Sequence, residues 1–235
     1  MNSGKYILLF LMGMGLSLGL HPHSKAQEPS PKKPDTQVEL VASTEGIQPG
    51  QTLKLGIHFK LKEGWHTYWK NPGDSGQALQ VQWSSNPLVR FAPLEYPYPE
   101  WIPGKSVVSF GYHDQVTFLT QGFLPPQTTV GENLIIQAQV KWLVCEEICI
   151  PEQKTLQLKL PIVSKPPLAN LKGAELINSA QKKIPKALVG SRFNTKPGKD
   201  LITLQIPLSQ LPQDIPTEGA KFFPMNKGVV DYGVP

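Results

Sequence analysis

Two cysteines, Cys145 and Cys149, are the only thiols in the 235-residue chain, and they stand four residues apart in Trp142-Leu143-Val144-Cys145-Glu146-Glu147-Ile148-Cys149-Ile150-Pro151. Sulfurs that close together can form a disulfide, bind a soft metal ion such as Cu(I), or cycle between the two redox states. Four residue steps in extended conformation span ~13 Å, whereas bonded cysteines need Cα atoms within ~7 Å. The chain is therefore predicted to turn at Glu146-Glu147. In the chain-entropy description a loop of about five residues contributes only ~2 kcal/mol on closure, against ~4 kcal/mol for one of about sixty. Stability is a poor reason for such a bond. A bond closed across a tight turn is prone to strain, and strained or exposed disulfides are the more easily reduced ones. The acidic neighbours Glu146 and Glu147 should raise a cysteine pKa, so the pair reads as a relay that waits for a partner's thiolate. A structural clip and a Cu(I) site on Cys145 and Cys149 stay open as alternatives. For a closed zinc site the folded region offers only His58, His66 and His113 besides the two sulfurs, and Met225 lies far along the chain.

The elements that must carry this pair are mostly β. Twenty-four prolines and twenty glycines are too many for a helical bundle, and they separate short runs of Val, Ile, Leu, Phe and Thr. Strands are predicted at Gln37 to Ala42, Thr52 to Leu61, Gln80 to Trp83, Val107 to Tyr112, Val116 to Gln121, Leu134 to Val144 and Thr155 to Leu160. Seven short strands at that spacing suit one immunoglobulin-like β-sandwich over residues 36–163. Within the second run Leu53, Leu55, Ile57, Phe59 and Leu61 alternate with Lys54, Gly56, His58 and Lys60, which places His58 on the exposed face. Trp65, Tyr68 and Trp69 are expected to fill the core, with Asn71-Pro72-Gly73-Asp74 as a turn.

The flanks divide the rest of the chain. Lys5, the apolar stretch from Tyr6 to Leu20 and the small residues around Ser24-Lys25-Ala26 read as a signal peptide over residues 1–26, followed by a Pro- and Lys-bearing linker over 27–35. Export into an oxidising compartment lets a disulfide persist. After Ser164-Lys165-Pro166-Pro167, the run Leu168 to Ile184 has apolar residues at Leu171, Ala174, Ile177 and Ala180, a connecting helix within 164–190. Residues 191–235, with Leu201 to Ile206 and Ala220 to Phe223 as strand-like runs, are expected to begin a second β-rich domain that continues in a longer protein. The net charge is +5, and +3 from Gln27 onward once Lys5 and Lys25 are removed. With the basic residues scattered, that argues against nucleic acid as a partner.

Several blocks in order carry a family resemblance: Glu63-Gly64-Trp65-His66-Thr67-Tyr68-Trp69-Lys70-Asn71-Pro72-Gly73-Asp74-Ser75-Gly76, then Tyr96-Pro97-Tyr98-Pro99, Phe110-Gly111-Tyr112 and the cysteine segment through Pro151. Together, over roughly Thr36 to Leu160, they resemble the N-terminal periplasmic domain of DsbD-type thiol:disulfide interchange proteins, in the branch associated with suppression of copper sensitivity. The resemblance implies an immunoglobulin-like domain without a cofactor. Its cysteine pair would take electrons from a membrane-embedded reductase domain, in the same or a separate chain, and pass them to periplasmic disulfide proteins of the thioredoxin fold. In that family a loop shields the disulfide; by position Tyr98 to Lys105, with Trp101 and Pro103, is the expected cap, and Tyr112 is either core or support for it. His66 and Asp74 are the candidates to assist proton transfer at the sulfurs. Better-known members have five residues between the cysteines where this chain has three, so the redox potential does not carry over. An interaction domain with an inert disulfide is the remaining alternative.

Overall fold

A computed structural model describes residues 34–105, 107–187, 192–195, 202–205, 221–229 and 232. The expected signal peptide and nearly all of the linker lie outside the described residues. Two antiparallel sheets face each other across one hydrophobic core. The first consists of β1 (Gln37–Ala42), β2 (Thr52–Lys60), β8 (Gln115–Phe123) and the two-residue β5 (Arg90–Phe91), in the order β1-β2-β8-β5. The second has the order β10-β9-β3-β7-β6, from β3 (His66–Gly73), β6 (Glu100–Pro103), β7 (Val108–His113), β9 (Asn133–Cys145) and β10 (Cys149–Pro161); β4 (Gln80–Asn86) pairs with the remaining stretch of the β9 edge. This is the expected immunoglobulin-like sandwich.

The alternation in β2 does what it predicts. Leu53, Leu55, Ile57 and Phe59 are buried, and Phe59 meets Phe118 and Trp142 edge-on at 5.5 and 5.3 Å. Such pairs add about 0.5–1.5 kcal/mol beyond the area they bury. His58 differs from expectation: it is half-buried with Nδ1 2.9 Å from Thr117 Oγ1, and burial lowers its pKa. The cause is the helix. α1 (Leu171–Gln181) lies against the outer face of the first sheet, where Ile177 and Ala180 pack on Val41 and Leu119. Gly173 allows the close approach, since a Cβ there would stand 2.0 Å from the Ala42 carbonyl oxygen. Asn170 caps the helix by accepting from the Gly173 amide at 3.0 Å. Leu171, expected on the apolar face, is instead 84% exposed, because at 3.6 residues per turn it lies about 120° round the helix from the buried Ile177.

Four described strands are additions to the predicted set: β3, β5 and β6 in the sandwich, and Arg192–Thr195 beyond it. β3 starts just after Trp65 and runs on through Asn71 to Gly73, which were expected in a turn that instead begins at Asp74; Trp65 and Trp69 are in the core as expected. β6 occupies the middle of the segment expected to be an irregular cap. Farther along, β11 (Arg192–Thr195) and β12 (Ile202–Gln205) pair as an antiparallel hairpin. Residues 221–224 form no strand, and Phe223 and Tyr232 lie against the aromatic end of the sandwich core.

Candidate thiol-disulfide site

β9 and β10 form one long hairpin in which every residue from Asn133 to Cys145 faces a partner, ending at the pair Cys145↔Cys149. Directly opposed residues bring their Cβ atoms close on the same face, and the Cα atoms of this pair are 4.1 Å apart. The two sulfurs are bonded. The turn falls at Glu146-Glu147-Ile148, where sequence reach required it, with the Glu146 amide donating to the Ile148 carbonyl at 3.3 Å. The two cysteines are not equivalent: Cys145 is 3% exposed, whereas Cys149 is open to solvent.

What buries Cys145 is β3. His66 pairs with Cys145 on one side and with His113 of β7 on the other, so these three side chains form a row across the sheet. Thr67, pointing the opposite way, locks the strands together through a 3.0 Å hydrogen bond to the Leu143 carbonyl. Two residues on from His66, and so on the same face, Tyr68 is 1% exposed. Its hydroxyl donates to Cys145 Sγ at 2.8 Å and lies 3.6 Å from Cys149 Sγ. Burial pushes the Tyr68 phenol above its usual pKa, with Ser75 and Ser109 opposing the shift. The phenol therefore stays protonated at neutral pH and serves as a fixed donor.

The ring of Tyr68 is seated by a turn. Gly76 has φ +99°, and a Cβ on it would stand 2.1 Å from Tyr68 Cε1, so only glycine leaves room for the phenol. His66 packs edge-on against Tyr68 at 5.2 Å and against His113 at 5.6 Å between ring centroids. Burial, and then the neighbouring His113, holds the His66 pKa down to about 4. At neutral pH it carries no charge. His113 in turn meets Glu100 Oε2 at 2.8 Å.

The other expected site residues fall at different places. Asp74 lies on the turn after β3, where its carboxylate accepts from the Val108 amide at 2.7 Å. Tyr112 is core: its ring meets Phe118 at 5.5 Å and its hydroxyl donates to the Pro97 carbonyl at 2.7 Å. Trp101 sits on β6 opposite Phe110 and packs on Phe110 and Phe223, at 5.4 and 6.3 Å, while Pro103 is exposed at the end of that strand. Tyr68 was expected in the core and not at the sulfurs. The signal was present, since in a strand Tyr68 shares its face with His66 and not with Trp65 and Trp69. Among the described residues no cluster of three or more His, Cys, Asp or Glu side chains is arranged to hold a metal ion. Nor is any described helix long and apolar enough to cross a membrane.

A buried, hydrogen-bonded sulfur joined to an exposed one at a hairpin tip is a geometry suited to exchange. The sequence model of the family described as thiol:disulfide interchange protein DsbD, N-terminal, matches residues 36–161, just over half of the chain. The chain belongs to this family. As a DsbD N-terminal domain, the sandwich is a thiol-disulfide exchange domain, and it carries the Cys145–Cys149 disulfide. The crystal structure of the N-terminal periplasmic domain of ScsB from Proteus mirabilis shares the fold, with TM-score 0.54 at 21% identity, covering 71% of this chain. The chain spans 62% of the length of that structure. The reduced DsbD N-terminal domain of Neisseria meningitidis aligns with TM-score 0.31 at 11% identity, over 56% of this chain and 88% of that one. No curated protein matches the chain.

Proposed function

We propose that this DsbD N-terminal domain is a periplasmic relay, which takes electrons from a membrane-embedded reductase domain and passes them to disulfide proteins of the thioredoxin fold. The observation that carries the reading is the asymmetry of the pair: Cys149 is exposed, and Cys145 is buried beneath the Tyr68 hydroxyl. A thiolate of the reducing partner attacks Cys149 Sγ, the Sγ–Sγ bond breaks, and its electron pair leaves on Cys145 Sγ. Tyr68 stabilises that leaving thiolate by a hydrogen bond to charge, the stronger kind. The partner's second thiolate then attacks its own sulfur in the mixed disulfide, which releases Cys149 as a thiolate and leaves the partner oxidised. Delivery runs the same steps in reverse. Cys149 attacks the substrate disulfide, and Cys145 then attacks Cys149 and frees the reduced substrate.

In this reading His66 holds the phenol in place edge-on and takes no proton at neutral pH, because burial holds its pKa down to about 4. Glu146 and Glu147, both exposed beside the sulfurs, keep the reduced pair from being a strong nucleophile toward adventitious targets. The test is the reduction potential of the pair in glutathione or dithiothreitol buffers. A value of about −250 to −120 mV is expected for a relay, and one below about −300 mV overturns it in favour of a structural clip. Trapping checks the order of attack: Cys145→Ser should accumulate a mixed disulfide on Cys149, and Cys149→Ser should not.

A further inference from the structure

Asn71 is a polar side chain buried to 2% exposure in the strand that carries Tyr68, and its partners come from far along the chain. Its Nδ2 donates to the Pro224 carbonyl at 2.8 Å and to the Tyr232 hydroxyl at 3.0 Å, while its Oδ1 accepts from the Gly73 amide at 3.1 Å. Both distal residues are themselves buried. Tyr232 packs edge-on against Phe110 at 4.9 Å, and Phe223 meets Phe110 at 5.2 Å and Trp69 at 6.2 Å. These contacts close an aromatic end of the core that residues 36–161 leave incomplete.

The same contacts reach the sulfurs in short steps. Through Gly73, Asn71 sets the turn after β3, where φ at Gly73 is +85° and a Cβ would stand 2.4 Å from the Val108 carbonyl oxygen. Asp74 then ties the turn to Val108 through both its amide and its carboxylate, and Lys227 Nζ reaches the Asp74 carbonyl at 3.3 Å. Ser75 meets Ser109 at 3.0 Å, and Gly76 abuts the ring of Tyr68 so closely that a Cβ would stand 2.1 Å from it. Tyr68 touches Cys145. A buried amide with all three of its hydrogen bonds spent on one turn and one distal segment is expensive to misplace, so it holds the turn in a single position.

We propose that Asn71, Pro224 and Tyr232 form a clamp that positions Tyr68 against the sulfurs, so that the exchange site is completed by residues beyond the family-matched region. The clamp residues are positioning residues, and their role rests on the reading of Cys145–Cys149 as an exchanging pair. The test is a double-mutant cycle in the full chain, read as the rate at which dithiothreitol reduces the disulfide of the folded protein. Tyr232→Phe keeps the ring and deletes the hydroxyl, and Asn71→Ala removes the whole amide. Each should slow reduction about three- to fivefold in the parent protein, the effect of one misplaced hydrogen bond. In a Tyr68→Phe background the same changes should have no effect on the rate, because the group they position is gone. No change in the parent, or an equal change in both backgrounds, overturns the clamp; should Asn71→Ala fail to fold, Tyr232→Phe decides alone. A parent disulfide that dithiothreitol leaves intact would strike the exchange reading itself, a separate outcome.

Discussion

The hydroxyl of Tyr68 stands 2.8 Å from Cys145 Sγ and 3.6 Å from Cys149 Sγ, so one buried donor distinguishes two sulfurs joined to each other. Charge that develops on Cys145 is stabilised and charge on Cys149 much less, which makes Cys145 the better leaving group.

Tyr68→Phe should therefore slow reduction by dithiothreitol about tenfold and move the reduction potential about 30 mV more negative, the equivalent of one charge-assisted hydrogen bond of ~1.4 kcal/mol. Stopped-flow kinetics and redox titration read the two effects. Faster reduction in the variant would mean that the phenol shields the sulfurs and does not activate one of them.

Two glycines with nearly the same φ separate strain from collision. Gly76 (φ +99°) would place a Cβ 2.1 Å from the Tyr68 ring, whereas Gly131 (φ +94°) has nothing within 4 Å. Gly131→Ala should cost only the left-handed backbone penalty, about 1 kcal/mol in urea unfolding. Gly76→Ala should cost at least about 2 kcal/mol more, since it must displace a buried aromatic ring. Equal losses would show that the turn yields and that the phenol is not held as tightly as the contact implies.

The pH dependence of stability carries a signature of His66. Its pKa is about 4 in the folded chain against an ordinary 6.5, so between those values the unfolded chain binds the proton and the folded chain does not. Above pH 6.5 both states are neutral and His66 contributes no slope. As pH falls from about 6.5 to about 4 the fold loses stability, by about 1–2 kcal/mol after allowance for partial solvent screening. Urea titrations at pH 7.5 and 4.5 should show this loss in the parent and a smaller one in His66→Gln. An unchanged difference would assign the pH effect to other groups.

Gly173→Ala tests the docking of the helix without touching the sulfurs. A Cβ at 2.0 Å from the Ala42 carbonyl oxygen must push α1 off the sheet, at a cost of about 1–3 kcal/mol in stability. The dithiothreitol rate should stay as in the parent, because α1 packs on the first sheet and the disulfide is in the second. A changed rate would tie the two sheets together more closely than their separate packing suggests.

Much of this architecture is written in local patterns. β2 is legible because one of its faces meets the core and the other carries Lys54, His58 and Lys60, so its alternation is unbroken. The nearness of the sulfurs is legible too, since four residues are a short tether and a turn at two glutamates is the simplest way to join two strands. β3 escaped the same reading because both its faces are covered: Trp65 and Trp69 enter the core, while Tyr68 lies buried beneath the disulfide and the turn at Gly76. A strand buried on both sides shows no polar-apolar rhythm. β6 has four residues and ends in Pro103, too short a run to carry any period.

The cysteine spacing alone thus determined that the two sulfurs can meet across a turn, because bond formation depends first on the length of chain between them. Which sulfur is buried, which donor it meets and which distal residues hold that donor depend on strand register. His66 faces Cys145 only because β3 pairs with β9 across a separation of 79 positions, and Asn71 meets Pro224 across 153. Such contacts arise when the whole core closes, and no local pattern of residue types encodes them.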